Sequence, residues 1–244
     1  MTKTEAVTAR RWVPWPSQMT SRRMRPGPAG AKMTIAPTAQ IAPSAVIGGP
    51  FRPLLGGRQV EADGEPLIAA GVWIGQFVTI GRGVTIGAGS LIEDYVGIQA
   101  RTVIGERVVV AGRSWLGLGV TVGDDSVIKG HIGDGARIGA RCRVTGDLIH
   151  RQIDPSQGWD DPGSEEPAPI VGDGAFVGWR AVVIGGVNIG AGAYVCSGAL
   201  VTRDVPPGHI ASGRNEITHP GNWPGALGKS PFFRDGPGSA PSGR

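Results

Sequence analysis

A chain of 244 residues supports one substantial domain with a real core and excludes two large ones. Its 42 Gly and 6% aromatic content disfavour a helical bundle and point to turn-rich β structure. The net charge of +4 is not a nucleic-acid signature: residues 1–32 carry seven Lys/Arg against Glu5, and the rest carries 17 basic residues against 19 acidic ones, so the body has no cationic excess for a phosphate backbone.

In chain order, residues 1–32 read as a flexible basic arm. The Arg10-Arg11 pair precedes a polar, Pro-broken stretch with no apolar core, so it does not read as an export signal, and no segment is long and apolar enough to span a membrane. Cys142 and Cys196 stand far apart with no CxxC partner, which fits a reducing, cytoplasmic setting.

Ile35, Ile41 and Ile47 introduce a six-residue beat, which residues 48–67 interrupt with Gly56-Gly57 and acidic Glu61, Asp63 and Glu65. The beat then runs without a miss through Ile68, Ile74, Ile80, Ile86, Ile92, Ile98, Ile104, Val110, Leu116, Val122 and Ile128. Gly often follows the aliphatic, and a small or β-branched residue comes four after it. Neither an amphipathic helix, with its apolar stripe at three and four, nor a hairpin meander repeats on six. A short strand and a corner, used three times per triangular coil, does, with each aliphatic turned inward and coils stacked about 4.8 Å apart. The Gly after the aliphatic is assigned the corner, where it would supply a φ that a Cβ resists.

Between Ile128 and Ile132 the spacing drops to four, so one corner is shortened beside His131. The beat resumes at Ile132, Ile138 and Val144. It breaks for a long polar insertion at 150–169 (HRQIDPSQGWDDPGSEEPAP), returns as Val171, Val177, Val183, Ile189, Val195 and Val201, and is expected to stop at Thr202-Arg203-Asp204-Val205-Pro206-Pro207. Residues 33–217 are therefore the solenoid domain, and 218–244 a Pro/Gly-rich tail in which Phe232 and Phe233 are candidates to dock and the last ten residues read as disordered. A long loop in a fold with few loops is a functional candidate.

The segment Pro169–Gly213, PIVGDGAFVGWRAVVIGGVNIGAGAYVCSGALVTRDVPPGHIASG, resembles the end of the hexapeptide-repeat acyltransferases, especially the maltose, galactoside and xenobiotic acetyltransferase branch. The shared pattern is two final coils, a Thr-basic-Asp step and a Pro-Pro exit. The resemblance implies an all-β, left-handed parallel β-helix that works as a homotrimer, transferring an acyl group from acetyl-CoA or another acyl-CoA to a small-molecule acceptor. It places His150, just before the long loop and ahead of Asp154-Pro155, as the general base. The coenzyme A contacts map onto Trp179, Ser197, Thr202 and Arg203, with Arg214 reaching the 3′-phosphate. Trp179 stands where the family has a small residue, and Gly213-Arg214-Asn215 where it has Gly-Asn-Pro.

Acyl transfer from a thioester needs positioning, a base and donors for the developing oxyanion, and a backbone N–H at residue 179 is a candidate donor. The residues themselves leave alternatives open. His150 also reads as a solvated loop histidine, and His131 competes with it as base. His209 and His219 read as surface residues. Trp73, Trp115 and Trp179 fall at outward positions, Trp73 as an interface anchor and the other two also as pocket walls. Asp160-Asp161 and Glu165-Glu166 read as solvated charges. A γ-type carbonic anhydrase shares the coil but needs three converging histidines, and only His131 and His150 lie in the repeat, so no metal is expected. A non-catalytic trimeric scaffold is the third reading.

Overall fold

The computed structural model describes residues 34–49, 64–151, 167–229 and 231–234. The basic arm, Gly56-Gly57, Glu61, Asp63, Asp154-Pro155, both acidic pairs of the 150–169 loop and the last ten residues lie outside them. Among the described residues no helix is long and apolar enough to cross a membrane.

Strands of two or three residues wind into a three-faced solenoid, the left-handed parallel β-helix. Face 1 is an eight-stranded parallel sheet running from Thr34–Ile35 to Asn188–Ile189, and face 3 another from Val46–Ile47 to Leu200–Val201. Face 2 runs from Gln40–Ile41 and extends to ten strands at the C-terminal end. The tiers are numbered one to eight from the N-terminus, and the edges are called 1–2, 2–3 and 3–1. The columns Ile74, Ile92, Val110 and Ile80, Ile98, Leu116 stack in register, and every one of these side chains is fully buried.

The small residues four places after each aliphatic line the inner corners, and the polar ones are satisfied between tiers. Ser90 Oγ donates to Gly105 O and accepts from Val108 N at 2.9 and 3.0 Å, and Ser126 does the same for Gly139 O and Cys142 N. Such pairing removes most of the cost of burying a hydroxyl.

The corner glycines work differently from the sequence expectation. The left-handed residue is two places later: Gly89, Tyr95, Arg101, Arg107 and Arg113 all have φ between 54° and 67°. The Gly directly after the aliphatic is required by close approach instead, since a Cβ on Gly87 would lie 2.4 Å from Gly105 C and O. We therefore expect Gly87→Ala to destabilise by roughly 1–3 kcal/mol or more. Gly119, left-handed with nothing within 4 Å of its would-be Cβ, should lose only about 1 kcal/mol as Ala. Paired denaturant melts check the order, and equal losses would refute it.

Two boundaries also move. The four-residue step recurs from Val144 to Leu148, so the 2–3 edge is shortened in tiers 5 and 6 alike, at Lys129-Gly130 and Thr145-Gly146. The Pro-Pro exit does not end the stack either. Val205 bridges Ile189 in parallel, Ile210–Ser212 adds to face 2, and only Glu216–Thr218 turns back antiparallel. The tail then brings Phe232 and Phe233 onto Tyr194, ring centroids 5.6 and 6.1 Å away, with Phe176 stacked beneath Tyr194 at 4.5 Å.

Candidate functional site

Both long excursions from the repeat leave at the 3–1 edge, after tier 1 and after tier 6. His150 stands where the second departs, at the end of the strand Asp147–Ile149. Arg151 N donates to Pro167 O at 2.8 Å, so the loop leaves and returns at one neck. Gly185 and Gly186 of tier 7 make room for it: Gly185 has φ +90°, and a Cβ on Gly186 would lie 2.8 Å from Pro167 Cβ. His150 leans over Gly133 of tier 5, whose would-be Cβ lies 3.1 Å from both His150 N and Nδ1, and Nδ1 is shielded from solvent.

Trp179 occupies the 2–3 edge of tier 7, half exposed at 51%. Ile149 pairs with Ile184, so the two residues lie one tier apart in height but on opposite edges of face 3. At about 3.3 Å per residue that separation is roughly 15–20 Å. The single chain therefore does not bring His150 and Trp179 together.

Four corner amides are capped by an acid from the next tier: Gln76 N by Asp94, Glu106 N by Asp124, Leu118 N by Asp134 and Ala140 N by Asp173, all at 2.7–3.0 Å. Above Trp179 that place is held by Ser197, and among the described residues nothing accepts from the Trp179 N–H. Ala70, Arg82, Ala88, Ala100 and Ala191 are among the corner residues that share this, and Trp179 is the one of these that lies one tier in height from His150. The Trp179 carbonyl, by contrast, accepts from Gly198 N at 2.9 Å.

Thr202, Arg203 and Arg214 gather above tier 8, each exposed. Asn215, noted in the sequence only as part of the departure from Gly-Asn-Pro, ties Thr202 to Arg203: its Oδ1 accepts from Thr202 N and its Nδ2 donates to Thr202 Oγ1, both at 2.8 Å, while its carbonyl accepts from Arg203 Nη2. Asn215 itself is left-handed at φ 59°, a conformation Asn tolerates better than most residues, and this was the available signal.

Of the other candidates, His131 is exposed on face 3 in register with Trp115, and its N–H donates to Asp147 Oδ1 at 2.9 Å. His209 and His219 come together at the C-terminal end, rings 5.4 Å apart. Trp73 and Trp179 point outward, and Trp115 is half-buried on the outer side of face 3. Among the described residues no group of three or more His, Cys, Asp or Glu converges as a metal site would require. Burial pushes the Cys142 thiol up to about 11 and raises that of Cys196, so neither is an activated thiolate at neutral pH.

The edges differ in charge. On the 1–2 edge Arg107 grips Asp125 through two contacts of 2.7 and 2.9 Å, holding that carboxyl below its usual range, and Arg141 lies 3.6 Å from Asp173. On the 2–3 edge the cations sit on rings instead: Arg113 over Tyr95 at 5.2 Å and Lys129 over Trp179 at 5.1 Å.

Comparison with known proteins gives a match to the hexapeptide repeat of succinyl-transferase at residues 101–130 and 170–203. The bifunctional protein GlmU of Maricaulis maris is 30% identical over 88 residues, 36% of this chain and 18% of that protein. GlmU of Caldanaerobacter subterraneus is 36% identical over 61 residues, 25% of this chain and 13% of that protein. The chain thus spans under a fifth of the curated relatives it matches. Among solved structures, the UDP-N-acetylglucosamine acyltransferase of Francisella novicida has a TM-score of 0.47 at 19% identity, over 72% of this chain and 67% of that one. A putative acetyltransferase of Bacillus cereus has a TM-score of 0.36 at 22% identity, over 64% and 76%.

Proposed function

We propose that this three-faced β-helix, which matches the hexapeptide repeat of succinyl-transferase over residues 101–130 and 170–203, transfers an acyl group from a coenzyme A thioester to the hydroxyl or amine of a small molecule. His150 is the general base, taking the acceptor's proton as the new bond to the acyl carbon forms. The Trp179 N–H receives the oxyanion that develops there, and the thiolate of coenzyme A leaves. Ser197, Thr202, Arg203 and Arg214 hold the coenzyme, the two arginines facing its phosphates.

The observation that carries this reading is the Trp179 N–H, which has no acceptor among the described residues and lies one tier in height from His150, with Ser197 rather than an acid above it. A donor aimed at a developing charge must not be spent on a neighbouring carboxylate, and Ser197 in place of the capping acid meets that condition. The distance across face 3 supports a homotrimer, in which one protomer's 2–3 edge closes on its partner's 3–1 edge and unites the halves of the site.

Thermal melting tests the donor. At a hundredfold excess over its Kd a ligand adds about 2.7 kcal/mol of stability, a rise in Tm of roughly 5–10 °C for a chain of this size. Acetyl-CoA should produce it. No shift at millimolar acetyl-CoA would leave the non-catalytic scaffold as the better account.

A further inference from the structure

The two stacked short corners give the 2–3 edge a feature that the acyl-transfer reading does not use. Tiers 4 and 7 turn this corner with four residues, whereas tiers 5 and 6 use only Lys129-Gly130 and Thr145-Gly146. The edge is therefore set back over two tiers, roughly 10 Å of height. Below this recess lies Arg113, above it Trp179 and Arg180, and Lys129 rises from its floor to the Trp179 ring.

We propose that this recess is an acceptor subsite for a small oxyanion, a phosphate or carboxylate group on the molecule that is acylated. A cation on an aromatic face is oriented by the ring quadrupole but keeps its full charge. Arg113 and Lys129 are held in this way, and among the described residues neither they nor Arg180 lie within ion-pair distance of a carboxylate. The arginines of the 1–2 edge, on the same rod, are neutralised by Asp125 and Asp173. The nearby acids are held in place by backbone amides rather than by these cations: Glu93 accepts from Gly112 N, Asp94 from Gln76 N and Asp147 from His131 N. Three exposed cations thus border the set-back edge, with Asp147 beside the short corner and Glu93 and Asp94 one tier below Arg113.

Position separates this site from the coenzyme. In the reading above, on which this inference rests, the coenzyme contacts lie on tier 8 and beyond, while the recess lies on the opposite side of Trp179. An acceptor anchored there would enter from below and meet the acyl carbon at the tryptophan amide.

The test uses the full chain at low ionic strength without any thioester. Inorganic pyrophosphate and succinate are titrated separately by calorimetry, the first probing phosphate and the second carboxylate. At least one should bind saturably. Combining Lys129→Met with Arg113→Gln should weaken that binding about tenfold or more, and should do so equally in an Arg203→Gln, Arg214→Gln background, where the contacts proposed for the coenzyme's own phosphates are absent. Lys129→Gln alone, with a smaller loss, serves if the double variant melts early. Absence of saturable binding, or binding that follows the Arg203/Arg214 pair alone, overturns the proposal. The acetyl-CoA melting shift, read on the same samples, reports on the donor independently, so loss of one signal with retention of the other says which idea has failed.

Discussion

Replacing His150 with alanine should lower turnover by about 10²–10⁴-fold, the usual contribution of a positioned general base. The same variant should keep its melting shift with acetyl-CoA, because no coenzyme contact lies on its tier. His150 sits at the neck of the loop, packed over Gly133, so a structural role would show as a fall in Tm of the free protein. Free-thiol release from acetyl-CoA in the presence of amine, sugar and alcohol acceptors reads the first quantity, and a melting curve the second. Turnover within twofold of the parent would remove His150 from the chemistry and move attention to His131, which is exposed beside Trp115 and Asp147.

The largest effect on stability belongs to Ile92→Asp. Ile92 is fully buried between Ile74 below and Val110 above on face 2. Losing the aliphatic costs about 1.5–3 kcal/mol, and an unpaired carboxylate in that column adds several more. The sum rivals the roughly 5–15 kcal/mol that holds a typical domain folded. Far-UV circular dichroism of the purified variant should show loss of the β signal or no recoverable folded protein, whereas Ile92→Val should cost only about 1 kcal/mol. A cooperative melt of Ile92→Asp within a few degrees of the parent would refute the stacked-column account of the core.

The inward columns were legible in the sequence because a period of six has one economical packing solution, and each aliphatic from Ile68 to Ile128 lies where that solution puts it. The corners were less so. Both corner residues are often Gly, so the sequence does not say which is left-handed and which is crowded, and only the close approach of Gly105 to Gly87 separates them. The second short corner was hidden because Leu148 is followed directly by the long loop, leaving no later aliphatic to reveal the four-residue step. His150 and Trp179 could be singled out one at a time, but their placement on opposite edges depends on counting corners through both shortened tiers. Lys129 and Asn215 gave weaker signals still, since a lone lysine or asparagine has no period and acquires meaning only from the ring or amide it meets.

The antiparallel return of Glu216–Thr218 has a consequence for how these rods behave in crowded solution. A stack of identical tiers presents at its last rung a row of backbone groups that would accept another rung from any molecule. Turning the final segment of face 2 against the direction of all the others breaks the parallel pattern that a second rod would have to continue. Fibre formation is thereby discouraged at that terminus, and association is directed to the sides of the rod.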